Sequence, residues 1–309
     1  MSDSKVKKGN SGMSDSKVKK GSSDDKLRAL QHGGSWSDTL RRLSGNRLAL
    51  LCLAVFVIIC LLCAFAPVVT KWNYSAINID ARMLQPTPEH LLGTDNLGRD
   101  MFSRILYGGR VTLRITFIST VIALVVGSII GLAAGYFGGK IDFVISPVLD
   151  IFAAVPVILL AIVFEAMIGW GQGNFMYAIA IAAVPQFARL VRATVMSIVG
   201  SEYIEAARAL GVSHVGVISR HVAHNVAPQL VVRFTTALAE ALLTCTIMGY
   251  LSIGINPPTP EWGNIVYHSK AYMRSAPLLM IVPCAVISLC VVTISVFGDG
   301  LRDAMDPRG

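Results

Sequence analysis

The chain has 309 residues, of which 53% are hydrophobic and only 15% charged, with a net charge of +8. A soluble domain carries about 25% charge, so this balance excludes an ordinary soluble globular protein and points to the membrane. The basic excess does not mark a nucleic-acid binder, because Lys and Arg crowd into the first 47 residues and the polar loops.

Residues 1–46 are polar and basic, and MSDSKVKKG occurs at 1–9 and again at 13–21. A perfect repeat at this spacing reads as a duplicated start rather than a fold element. Disorder is expected through about residue 30. Residues 37–46 suit an amphipathic helix on the membrane surface, with Arg41, Arg42 and Arg47 placed for phosphates.

Residues 47–70 form the first expected span, and 48–70 carry no charge. The basic residues before this span place its start on the cytoplasmic side. Residues 71–110 are then an extracytoplasmic segment, followed by a membrane core over 111–298 and a cytoplasmic tail at 299–309. Within the core, spans are expected at 111–136, 143–168, 175–197, 228–252 and 276–298. The fold class is therefore all-α and polytopic, with about six transmembrane helices and both termini inside.

Residues 92–114 read LGTDNLGRDMFSRILYGGRVTLR. Thr94 or Asp95 can cap a turn, Gly98 allows a tight bend, and Asp100 can cap a helix over 101–108. Arg99, Arg104 and Arg110 can pair with Asp95 and Asp100, or meet an anionic partner surface. Gly127, Gly131 and Gly135 recur every four residues, the small-residue pattern of closely packed membrane helices. Asp150 is read as pairing with Arg189 or Arg192, and Glu165 as reaching water at the outer end of its span. All six cysteines fall within apolar runs and read as small hydrophobes.

The polar loop 198–227 is expected on the cytoplasmic side. Within it, residues 202–211 read as a short helix. Glu202 and Glu205 suit the positive end of its dipole, and Gly211 is placed as its stop. Tyr203, Ala206, Ala207 and Leu210 share one face by three- and four-residue spacing. A small-residue face of this kind fits closely into a groove on another surface.

In the fifth span Arg233, Thr236, Glu240 and Thr244 recur at helical spacing. Ionisable residues inside a membrane are costly and point to function. This face either lines a translocation path, with Glu240 meeting a peptide amine or a cation, or makes a helix–helix contact. Pro257, Pro258 and Pro260 fix an external loop, and Trp262 suits an interfacial belt. Gly298 and Gly300 are expected to end the last span.

Four motifs carry a family resemblance, in order along residues 92–309. Glu205-Ala206-Ala207, then Gly211, resembles the EAA loop of ABC importer permeases, and Arg220-His221-Val222 with Asn225 resembles its continuation. Residues 92–114, 249–263 and 298–307 resemble signatures of the dipeptide, oligopeptide and nickel permeases within that family. The resemblance implies a type I ABC importer permease architecture in a bacterial cytoplasmic membrane. It implies a second permease as heterodimer partner, two cytoplasmic ATPases and an extracytoplasmic substrate-binding protein. It also implies that Tyr203, Glu205, Ala206, Ala207, Leu210 and Gly211 form the ATPase-coupling helix. No cofactor is expected in this chain, since ATP and Mg would be held by the partner ATPases.

Gly138-Gly139-Lys140 lacks the spacing of a phosphate-binding loop, so the chain is not expected to hydrolyse ATP itself. His221 and His224 lack further metal ligands. The expected substrate is a di- or oligopeptide, with glutathione or a nickel chelate as alternatives. A proton-coupled secondary transporter using Arg233 and Glu240 is the reading from a different class, and no inverted internal repeat supports it.

Overall fold

The computed structural model describes residues 36–169 and 171–305. The duplicated segment and most of the basic tail lie outside the described residues. Helix α1 spans Trp36–Gly45 and α2 spans Arg47–Ala64. Asn46 separates them, its side chain accepting a hydrogen bond from the Ala49 amide. A single helical turn at Ala66–Val69 follows. Then come α3 (Met101–Phe137), α4 (Gly139–Ala153), α5 (Val157–Ile168) and α6 (Gln172–Val199). The rest is α7 (Glu202–Ala209), α8 (His214–Tyr250), α9 (Trp262–Ser269) and α10 (Leu278–Met305).

Among the described residues five helices are long and apolar enough to cross a membrane, and the bent pair α4–α5 makes a sixth if it crosses as one span. The span expected at 143–168 is in fact two helices, α4 and α5, that meet at 101°. Pro156 is the cause. It has no amide to continue the ladder, and it disfavours helical geometry at Val155.

Two further boundaries differ from expectation. The helix expected at 101–108 and the span expected from 111 are one helix, α3, which starts at the Asp100 cap. Gly108 and Gly109 do not break it, because the space they leave is filled by Trp262. Similarly, α10 runs through Gly298 and Gly300 instead of ending there. A Cβ at Gly298 would stand 2.6 Å from the Thr235 hydroxyl, and one at Gly300 2.5 Å from the Ala49 Cβ. These glycines bring helices together.

The glycine stripe of α3 does the same against α6. A Cβ at Gly127 would lie 2.6 Å from the Phe187 Cβ, and one at Gly131 2.4 Å from the Ala188 carbonyl oxygen. α2 packs on α10 and α3, while α5 packs on α6. α8 is seated between α3, α6 and α10. Glu165 does not reach water as expected, being fully buried where α5 lies against α6.

At one end of the bundle, residues 71–100 form a compact loop. Asp95 accepts from the amides of Leu97 and Arg99, and takes Arg99 Nε at 2.7 Å and Arg104 Nε at 3.4 Å. Asp100 pairs with His90 Nδ1 at 2.9 Å and caps the Ser103 amide at 2.7 Å, so it takes neither arginine. Gly98 holds φ +72, and a Cβ there would run into the Asn78 carbonyl. The opposite end carries α7.

Candidate coupling helix and translocation face

α7 is an eight-residue helix with Glu202 and Glu205 in its first turn and Arg208 in its last. The charges follow its dipole. Gly211 at φ +81 closes it: the Gly211 amide donates to the Arg208 carbonyl at 2.9 Å, and the Val212 amide to the Ala207 carbonyl at 3.1 Å. This is the paired closing pattern that glycine favours.

The helix is pinned on one side only. Ile204 is fully buried and Ala207 is buried beside it. Ile204 packs with Tyr136, Val195, Val217 and Val222, which belong to α3, α6 and α8. The residues expected on one face therefore divide. Ala207 turns inward with Ile204, while Glu205, Ala206 and Leu210 stay exposed, Leu210 at 85%. Tyr203 is half-exposed, and its hydroxyl accepts from Asn225 Nδ2 at 3.2 Å. Arg208 lies 5.1 Å over the Tyr136 ring, and the Tyr136 hydroxyl meets His214 Nδ1 at 2.9 Å. Ile204 was not singled out in the sequence, although its spacing from Ala207 and its apolar side chain carry the signal.

α8 begins at His214, well before the span expected from 228, and includes a π-helical stretch at Ile218–Val222. Pro228 sits within it without ending it. Farther along, Arg233 reaches Glu240 on the same helix. Its Nη2 lies 2.9 Å from Glu240 Oε2, its Nη1 3.2 Å from Oε1 and 3.2 Å from the Thr236 hydroxyl. Gln186 on α6 accepts from the same guanidinium. The Glu240 side chain is 50% exposed. Thr244 is buried, its hydroxyl donating to the Glu240 carbonyl at 2.9 Å. The structure thus brings Arg233, Thr236 and Glu240 together on an open face and leaves Thr244 off it.

Of the two partners expected for Asp150, Arg189 is the one that meets it. Asp150 is 3.8 Å from Arg189 Nε, and both are more than half exposed. Arg192 pairs instead with Asp142, its Nη2 2.7 Å from Oδ2. Asp142 lies in the first turn of α4, and its partner on α6 fixes that helix after the turn at Gly138.

Toward the other end, Trp262 is completely buried, which corrects its expected place in an interfacial belt. Its indole donates to the Ile105 carbonyl at 2.9 Å. Beside it Glu261 caps α9, accepting from the Gly263 and Asn264 amides at 2.9 and 2.8 Å and from Thr112 at 3.1 Å. Burial pushes the Glu261 carboxyl up to about 7 despite these three donors. No group of three or more His, Cys, Asp or Glu suited to a metal occurs among the described residues.

Residues 99–308 match the family described as binding-protein-dependent transport system inner membrane component. Residues 34–86 match the N-terminal transmembrane domain of oligopeptide transport permease C. The chain is 39% identical over 273 residues to the dipeptide transport system permease protein of Alkalihalophilus pseudofirmus, covering 88% of this chain and 90% of that one. It is 34% identical over 269 residues to that of Haemophilus influenzae, with coverage of 85% and 91%. Against the glutathione transport system permease protein of Pectobacterium atrosepticum it is 38% identical over 223 residues, with coverage of 72% and 74%. In fold it is similar to a chain of the inward-facing MetNI methionine ABC transporter, with a TM-score of 0.55 and 23% identity, covering 66% of this chain and 97% of that one. The α7 end, the α8 face and the helical bundle are therefore parts of a multi-pass transport subunit with type I ABC importer permease architecture, and the chain belongs to the binding-protein-dependent transport system inner membrane component family.

Proposed function

We propose that this chain is the permease subunit of an ATP-driven importer for di- or oligopeptides, driven through α7. The observation that carries the coupling role is the one-sided anchoring of α7. Its inner face is locked by Ile204 to three helices, while Glu205, Ala206 and Leu210 present a short exposed ridge. A load applied to that ridge is passed to α3, α6 and α8 together, because packed interiors transmit displacement. ATP would be bound and hydrolysed by two partner subunits, one of them docked on this ridge, with α7 on the cytoplasmic side and both termini there. A second permease would complete the path as a heterodimer, and a substrate-binding protein would deliver to the end bearing residues 71–100.

The path face is Arg233, Thr236 and Glu240. Glu240, half exposed, offers a carboxylate to a peptide amine, while Arg233 holds it in place. The peptide substrate is supported by relatives named for dipeptide transport at 39% and 34% identity. Glutathione is the second reading, favoured by the 38% identical relative named for it.

The test is uptake of labelled dipeptide by vesicles holding the complete complex and its binding protein, with ATP inside. ATP-dependent dipeptide uptake, not reduced by excess glutathione, supports the peptide reading. Uptake of glutathione with no dipeptide transport would replace it, and uptake driven by a proton gradient without ATP would overturn the importer reading.

A further inference from the structure

A groove of about 730 Å³ runs between α2, α3, α8 and α10, away from the Arg233–Glu240 face. Its walls are apolar: Leu53 and Phe56 from α2, Phe117 from α3, Phe234 and Leu238 from α8, and Phe297 from α10. Three threonine hydroxyls also line it, but each is already committed to its own helix. Thr116 donates to the Thr112 carbonyl, Thr235 to Val232 and Thr293 to Leu289, at 2.7–2.8 Å. The groove therefore offers almost no hydrogen-bonding along its length, and a peptide inside it would leave its backbone groups unsatisfied.

Its polarity is concentrated at one place. Arg110 and Arg114, one turn apart on α3, both line the groove and are exposed. Neither makes an ion pair or hydrogen bond among the described residues. No Asp or Glu lines the groove. α3 has 37 residues and so is about 55 Å long, well beyond the roughly 30 Å of a hydrocarbon core. Arg110 and Arg114 follow its first, loop-packed turns, which sets them near one boundary of that core. Cys60, Cys63 and Ala64 stand at the same level on the antiparallel α2, while Leu53, Val231 and Leu301 extend the groove toward the α7 end.

We propose that this groove holds an anionic phospholipid of the surrounding bilayer, its phosphate held by Arg110 and Arg114 and one acyl chain laid along the groove. The charge is complementary: two unpaired guanidiniums match a phosphate in bidentate fashion. The apolar run below matches a hydrocarbon tail. A bound lipid here wedges α2 against α8, the helix that carries the path face, and so ties transport to membrane composition.

The test uses the complete complex in nanodiscs of mixed phosphatidylglycerol and phosphatidylethanolamine, transferred to mild detergent for native mass spectrometry. Wild type is expected to retain phosphatidylglycerol in preference to phosphatidylethanolamine. Replacing both arginines, R110Q with R114Q, is expected to reduce that retention about tenfold or more, as for the loss of two membrane-facing cations. R110K with R114K should retain more than the glutamine pair but less than wild type, because lysine keeps the charge and loses the two-pronged fit, and R302Q, outside the groove, should leave retention unchanged. Retention unaffected by R110Q with R114Q overturns the proposal. If those variants do not assemble, the wild-type complex is imaged in the same nanodiscs by electron cryomicroscopy. Lipid density with its head at Arg110 and Arg114 supports the proposal. An empty groove, or one filled by a helix of a partner subunit, overturns it.

Discussion

Arg233 and Glu240 are two turns apart on α8, yet the Arg233 guanidinium spans the gap and makes a two-pronged contact with the Glu240 carboxylate, at 2.9 and 3.2 Å. The pair is intrahelical, so it does not need a neighbouring helix to satisfy it. Gln186 secures the arginine from α6 and leaves the carboxylate half exposed. If this face lines the path, E240Q raises the KM for peptide uptake by about tenfold, the loss of one partly desolvated charge contact, while complex yield stays unchanged. Uptake kinetics and co-purification of the partner subunits read the two effects separately. Lost assembly with an unchanged KM would make the face an interface.

The α3–α6 contact should be the least tolerant of added volume. G131A places a methyl 2.4 Å from the Ala188 carbonyl oxygen, which is backbone and cannot swing aside. It should destabilise the subunit by about 1–3 kcal/mol, as overpacked cores do. G200A meets nothing within 4 Å and should be neutral in the same thermal-unfolding assay. Equal midpoints for the two variants would refute the close packing.

Glu261 makes stability depend on pH in a defined direction. Its folded carboxyl titrates at about 7, above the ordinary 4.5. The folded state thus binds the proton more tightly than the unfolded chain. The contribution is complete below about 4.5 and is lost as pH rises through about 7. Thermal unfolding of the detergent-solubilised complex should occur at higher temperature at pH 5.5 than at pH 8. E261Q should flatten that slope, and a slope that persists in E261Q places its source elsewhere.

Much of this architecture was legible in the chain because membrane helices are written in long apolar runs. The Asp100 cap, the Gly98 bend and the Gly127–Gly131–Gly135 stripe all appear where local spacing placed them. What spacing could not supply was the identity of the neighbour. Gly298 and Gly300 look like stops until Thr235 and Ala49 are seen against them. Trp262 looks like an interface anchor until Gly108 and Gly109 open a slot for its ring. Ala206 and Ala207 are identical in sequence terms, and only the valine cluster around Ile204 decides which one turns inward. The 101° bend at Pro156 had a local cause that a hydropathy run conceals.

The most direct measurement of the coupling claim is ATP-driven uptake by E205K in vesicles holding the complete complex, with ATPase binding assayed in the same preparation. Glu205 is exposed and stands outside the apolar cluster that holds α7 to the bundle, so the charge reversal tests the ridge and spares the fold. If α7 couples the subunits, the ATPases dissociate from E205K, or uptake falls at least tenfold while the membrane subunits remain paired. Normal uptake with the ATPases still bound would contradict that role and leave α7 an ordinary surface helix.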